Sequence, residues 1–162
     1  MRWIISGIVG LVAVALVSLA AVTGGLYWQR VGTLGEQAAR EELGPLAQKQ
    51  IPLVFTYDYK TVEGNLTNAY PMLTPAYRKE FEDRATSDII PQARQRELVS
   101  QANVVGVGVM EAQRNSAAVM VYINRTVSEK ANRDQPIYDG SRLRVDYEKI
   151  DGKWLINYIT PI

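Results

Sequence analysis

The sequence predicts an α+β protein: one N-terminal transmembrane helix, then a small domain of helices packed on one face of an antiparallel sheet. Three observations carry this. The stretch Trp3 to Tyr27 contains no charged residue. Helical spacing and helix-start signals dominate from about Ala38 to Gln101,. Beyond Ala102 the pattern changes to valine-rich alternation, the period of strands,.

The uncharged run is about 25 residues long, enough to cross a hydrocarbon core of about 30 Å as a helix,. Ser18 to Ala20 resembles a signal-peptide cleavage site, but the apolar run continues past it to Tyr27 and Trp28, so a retained span is expected,. Trp3 at one end and Tyr27 with Trp28 at the other fit interfacial anchors, and Arg2 favours an N-terminus inside,. Small residues four apart, Ser6 with Gly10, Ala20 with Gly24 and Ala21 with Gly25, would let a partner helix approach closely in lipid, although such residues are also ordinary span composition,.

After the anchor (1–30) we expect a juxtamembrane connector (31–44) and an extracytoplasmic domain (45–162). A helix interrupted near Gly44 and Pro45 and bent at Pro52 should bring Ala47, Ile51, Val54, Phe55 and Asp58 to one side, which places Tyr57, Asp58 and Tyr59 at its C-terminal end,. A short helix fits Val62 to Tyr70. Thr74 and Pro75 read as an N-cap followed by a proline at the first helical position, opening a segment with Tyr77 and Phe81,. Thr86 to Gln101 supplies another helix, whose Arg94 and Arg96 form a solvated face or meet anionic headgroups or a partner,. Two strands then flank a turn at Arg114 to Ser116, and a polar loop follows around Glu129 to Gln135. The last two strands flank Asp151-Gly152, the dipeptide of a type I′ hairpin,. Leu143, Val145 and Tyr147 alternate with Arg144, Asp146 and Glu148, so one face is buried; Trp154, Ile156 and Tyr158 are expected in the core,.

Composition narrows the chemistry. With no histidine and no cysteine, imidazole bases, thiolate nucleophiles, disulfides and the commonest metal ligands are absent from the sequence,. Lysine and arginine number 18 against 17 acids, and Arg2 alone precedes the apolar run, so the domain is neutral; no nucleic-acid partner is expected,. Asn65 and Asn124 begin sequon-like triplets that carry no weight alone,.

The order of "TYDYKTVEGNL", "LTPAYRKEF", a helix around Pro91, "VYINRTV" and the terminal "DGKWLI" hairpin, from about Ala38 to Ile159, resembles the Mce-associated membrane proteins of mycobacteria and related actinobacteria. The resemblance implies an NTF2-like domain of helices packed on a curved antiparallel sheet, as in VirB-type periplasmic subunits. It also implies a single-pass protein of the cytoplasmic (inner) membrane, its domain in the periplasm. The implied role is a non-enzymatic accessory subunit without cofactors, similar to a LucB-like protein, that stabilises or assembles an Mce-type importer of fatty acids or sterols. Its partners would be the permease, other transporter subunits and membrane lipid. The interruptions at Gly44, Pro45 and Pro52 depart from the smoother helix such a family implies. The alternatives are an extracytoplasmic lipid-binding or enzymatic NTF2-like protein and a subunit of a secretion or cell-envelope assembly.

Asp58 between two tyrosines is the one pattern that invites a catalytic reading, in which burial would raise its carboxyl toward working pH. No histidine is available to complete such a site, and an aspartate near a helix end commonly bonds amides of the following turn,. Structural capping or packing is the expected role, with Thr61 placed to cap the same turn and lipid contact by a tyrosine-lined pocket as the alternative; no catalytic, cofactor or metal residue is expected.

Overall fold

The computed structural model describes residues 34–162. The expected span, with Ser6, Gly10, Ala21 and Gly25, lies outside the described residues. Among the described residues no helix is long and apolar enough to cross a membrane.

Helix α1 covers residues 34–55 without interruption at Gly44, Pro45 or Pro52, which corrects the expected break. Each proline removes a helical bond to the carbonyl four residues earlier. Those carbonyls belong to Glu41 and Gln48, both exposed residues that solvent can reach. On the opposite side Ala39, Leu43, Ala47, Ile51 and Val54 form a stripe that is 5% exposed or less. Burial of that stripe outweighs two missing hydrogen bonds, since each large aliphatic side chain contributes about 1.5–3 kcal/mol. Ala39 and Leu43 belong to this core, so the folded unit reaches upstream of residue 45.

Tyr57 and Asp58 do not end the helix. They form a two-residue strand, β1 (Tyr57–Asp58), paired with Ser100 and Val99. The chain leaves the helix at Thr56, whose hydroxyl accepts from the Ala102 amide, and the Ser100 hydroxyl donates to the Phe55 carbonyl. These bonds redirect the backbone into the sheet, an interaction invisible to helical spacing.

Two short helices follow, α2 (Val62–Ala69) and α3 (Pro75–Arg84). The Thr74 hydroxyl accepts from the Tyr77 amide at 3.3 Å, as the Thr-Pro signal predicts. A π-helical turn, Ala85–Ile89, leads into α4 (Ile90–Arg96). In that turn the Ile90 amide reaches back to the Ala85 carbonyl, five residues away, and the wider loop accommodates Pro91 just after it,. The helix expected to continue to Gln101 stops at Arg96: Glu97 turns left-handed at φ 51°, the Leu98 amide closes onto the Ala93 carbonyl, and Leu98 is buried.

The sheet is a five-stranded antiparallel meander, β1 with β2 (Val99–Ala112), β3 (Ser116–Ser128), β4 (Ile137–Ile150) and β5 (Lys153–Pro161). Asp151 and Gly152 both have positive φ, 50° and 78°, as a type I′ turn requires,. Tyr158 corrects the expected core: a bulge after Ile156 shifts the register, so Ile159 faces inward at 9% exposure and Tyr158 is 42% exposed,. The helices cover the concave face. There Leu43, Ile51, Val62 and Leu66 meet Val119, Val121, Val145 and Ile156, all essentially fully buried.

Two outcomes check this packing. A fragment starting at residue 34 should be soluble and give circular dichroism dominated jointly by sheet and helix; a fragment that is unfolded or wholly helical would contradict it. Thr74→Ala removes a buried cap that also bonds the Asn157 side chain at 3.1 Å, and should lower unfolding free energy by about 1–2 kcal/mol,.

Candidate functional site

Three regions of the domain could hold a site: the concave face, the Tyr-Asp-Tyr end of the molecule, and the convex face of the sheet. The concave face would hold a ligand if the helices left room. Instead its centre is taken up by buried side chains, Leu43, Ile51, Val62 and Leu66 against Val119, Val121, Val145 and Ile156, and several open depressions lie around it. The most apolar of these, about 420 Å³, lies between α1 and the β4–β5 hairpin and is lined by Pro45, Leu46 and Trp154 with Glu42, Lys49 and Lys153 at the rim. Trp154 donates its indole N–H to Glu42 at 2.9 Å, and the Lys149 ammonium stands 5.0 Å from the centre of its ring. These groups tie the hairpin to α1 through Glu42, whose carboxylate also lies 3.7 Å from the Lys149 ammonium.

Tyr57, Asp58 and Tyr59 sit at the far end of β2 from the β2–β3 turn. The Asp58 Oδ1 accepts from the Lys60 amide at 2.8 Å, while its carbonyl accepts from Thr61. Asp58 therefore closes the turn that leads into α2. Thr61 is the residue before that helix and makes no side-chain cap bond. Burial pushes the Tyr57 hydroxyl above its ordinary value, partly offset by the Arg125 guanidinium. Tyr59 is half-buried, and the Lys60 ammonium stands 5.6 Å from its ring centre. No second acid or base lies within hydrogen-bond reach of the Asp58 carboxylate among the described residues.

Beside Asp58 is a feature that sequence reasoning missed. Asp58, Tyr59, Glu97, Glu129 and Arg133 line a depression of about 240 Å³. Glu97, at the left-handed end of α4, receives Lys130 at 2.6 Å and Arg133 at 2.5 Å from the β3–β4 loop. Arg96 pairs with Glu129 at 2.5 Å and Arg94 with Glu63 at 2.8 Å, so both arginines expected on a solvated face are engaged within the domain. The hydrogen bond from Lys130, helped by the Arg133 charge, holds the Glu97 carboxyl below its ordinary value. No local signal marks Glu97, because glycine is the residue normally found where a helix ends left-handed.

The convex face is exposed. Gly106 and Gly108 of β2 lie opposite Tyr122 and Met120 of β3, and a Cβ on Gly106 would meet the Tyr122 ring at 3.4 Å. Bulges in β2 leave Val105 and Met110 57% and 43% exposed beside this stretch. The surface is mixed apolar and polar, with Arg142 and Arg144 on β4 next to Tyr122 and Met120. It can bind by contact, and toward the β2–β3 turn a depression of about 410 Å³ gathers Glu111, Arg144, Asp146 and Glu148, with Arg144 2.9 Å from Asp146 and 3.9 Å from Glu111. Among the described residues no cluster of three or more acids could hold a metal ion.

No family model matches the chain. The outer membrane protein Rv1973 of Mycobacterium tuberculosis is 26% identical over 153 residues, 94% of each chain. The uncharacterized protein Rv1362c of the same organism is 27% identical over 125 residues, 77% of this chain and 56% of that protein. Among solved structures, the periplasmic domain of DotI superposes with a TM-score of 0.64 at 11% identity, covering 75% of this chain and 94% of that one. An IcmL-like type IV secretion system protein from Legionella pneumophila gives 0.61 at 14% identity, covering 76% and 93%. The VirB8 protein of Agrobacterium tumefaciens gives 0.53 at 12%, covering 70% and 84%. These likenesses establish the fold as the VirB8-type, NTF2-like arrangement of helices against a curled antiparallel sheet.

Two substitutions test the reading of this end. Asp58→Ala should cost about 1 kcal/mol of stability, and Asp58→Asn less, because an amide oxygen still accepts from Lys60,. Glu97 has a lowered carboxyl pKa when folded, so its contribution is complete above the unfolded value and is lost as pH falls through the folded one,. Hydrogen exchange in the loop 129–135, corrected for intrinsic pH dependence, should therefore quicken under acid, and Glu97→Gln should show the faster exchange already at pH 7.

Proposed function

We propose that this chain is a non-enzymatic, membrane-anchored assembly subunit of a cell-envelope complex, its domain held on the outer side of the cytoplasmic membrane. The observation that carries the reading is the apolar packing on the concave face: where an NTF2-like fold would hold a ligand, the buried α1 stripe, Val62 and Leu66 meet the sheet. What remains for function is surface. The likeness to periplasmic domains of secretion systems supports a subunit that works through contacts with other proteins.

The finer reading is that the complex is an Mce-type importer of fatty acids or sterols, which this chain stabilises beside its permease and the surrounding membrane lipid. The order of motifs from about Ala38 to Ile159 supports it. A subunit of a secretion-type assembly is the second reading, favoured by the likeness to DotI and VirB8. The name of the mycobacterial relative refers to an outer membrane. An uncharged run of about 25 residues fits a helical span, whereas barrel proteins cross with alternating strands, which favours an anchor in the inner membrane,.

Affinity purification of the full chain in mild detergent, with identification of what accompanies it, separates the two readings. Permease and lipid-import proteins are expected; secretion components alone would favour the second reading, and a chain that purifies alone would contradict both. Replacing Gly10, Ala21 and Gly25 together by leucine keeps the run apolar while filling the close-approach surface that those residues and Ser6 would offer,. The variant should still insert but lose copurifying permease and support slower lipid uptake. Wild-type copurification and uptake would move the partner contacts to the folded domain.

A further inference from the structure

We infer that the β2–β3 hairpin tip, residues 113–115, is a lipid-contacting surface, with the Arg114 guanidinium on anionic headgroups of the leaflet from which the chain emerges. The inference rests on the proposed N-terminal span and adds to it an orientation for the domain. Three observations place the tip there.

The first is proximity. A Cβ built on Gly35 would meet Arg114 Cγ at 3.3 Å and its Cα at 3.5 Å, so the tip lies beside the first turn of α1. The second is the short tether. Only residues 29–33 separate Trp28, at the end of the apolar stretch, from Leu34, and even fully extended they span about 20 Å,. The other end of the domain is far away by comparison. Helix α1 follows β2 from the tip to Phe55, whose carbonyl meets Ser100, and a helix of that length rises about 33 Å,.

The third is chemistry. Arg114 is exposed and, like Arg40 and Arg142, has no ion-pair partner among the described residues, whereas Arg78, Arg84, Arg94, Arg96, Arg125, Arg133 and Arg144 are paired. The tip itself, Gln113 to Asn115, contains no acid. Beside it Glu111, Asp146 and Glu148 line the depression that Gln113 and Asn115 border; Arg144 engages Asp146 at 2.9 Å and Glu111 at 3.9 Å, and Glu148 lies opposite Ser116. Leu34, at the tethered end of α1, is 57% exposed. An unpaired arginine beside an exposed leucine at the end nearest the bilayer matches the interfacial zone, where a basic side chain meets phosphate and an apolar one enters the headgroup boundary.

The absence of cysteine makes the test clean, since a single introduced thiol is unique. The full chain carrying Asn115→Cys, or Asp134→Cys in the opposite β3–β4 loop, is labelled with a fluorophore. It is then reconstituted into phosphatidylcholine vesicles containing about one third phosphatidylglycerol, with headgroup spin-labelled lipid as quencher. The label at 115 should be quenched about fivefold more strongly than that at 134, and Arg114→Glu should remove most of the difference. If vesicle flotation shows that the chain does not stay with the lipid, the span and this inference fail together. If the chain floats but the two labels are quenched alike, only the inference fails. Preferential quenching that survives Arg114→Glu unchanged would overturn the headgroup contact.

Discussion

Everything in the described fold depends on one apolar stripe of α1 lying inside a curled sheet. Ala39, Leu43, Ala47, Ile51 and Val54 recur at helical spacing and have no other apolar surface to cover them,. The sheet wraps the helix from both sides. On one side the Arg40 guanidinium donates to the Val109 carbonyl of β2; on the other, the Trp154 indole of β5 donates to Glu42. Helices α2 and α3 close the remainder, with Tyr77 against Phe81 and Tyr158 at ring distances of 6.4 and 5.2 Å.

This arrangement determines which surfaces are left for partners. Segment Leu73–Thr74 bonds to Ile156 and covers the outer edge of β5. At the other edge β1 pairs with the start of β2, two bulges distort the strand, and Arg40 occupies one carbonyl. Such devices keep a sheet from pairing with stray strands. With both edges blunted and the concave face filled, recognition falls to the convex face and to the two ends of the domain. A surface of that kind suits a subunit held in place by its anchor and engaged by lateral contact, which is the proposed role.

Much of the fold was legible in the sequence where a single local rule operates. Thr74-Pro75 marked a helix start, Asp151-Gly152 a tight hairpin, and the alternation of Leu143, Val145 and Tyr147 a half-buried strand; each depends on residues a few positions apart. The errors occurred where tertiary contacts overrode local preference. Pro45 and Pro52 signalled breaks that burial of the opposite helix face outweighs. Tyr57 and Asp58 looked helical, yet the bonds of Thr56 and Ser100 draw them into the sheet. Tyr158 was misplaced by one inserted residue, because a bulge reverses every side chain beyond it. The surroundings of Asp58 were harder still: Glu97, Lys130 and Arg133 come from separate segments, and nothing in their spacing announces that they meet.

The central claim is that burial of the α1 stripe closes the concave face and makes the helix and the curled sheet one cooperative unit. Equilibrium denaturation of Leu43→Ala in the unit from residue 34 onward tests it most directly, since Leu43 is among the largest fully buried side chains of the stripe. The account predicts a single transition, observed alike by helix and sheet signals, with stability lower by about 2–5 kcal/mol. A loss below about 1 kcal/mol, or a sheet that outlasts the helix in a separate transition, would contradict it.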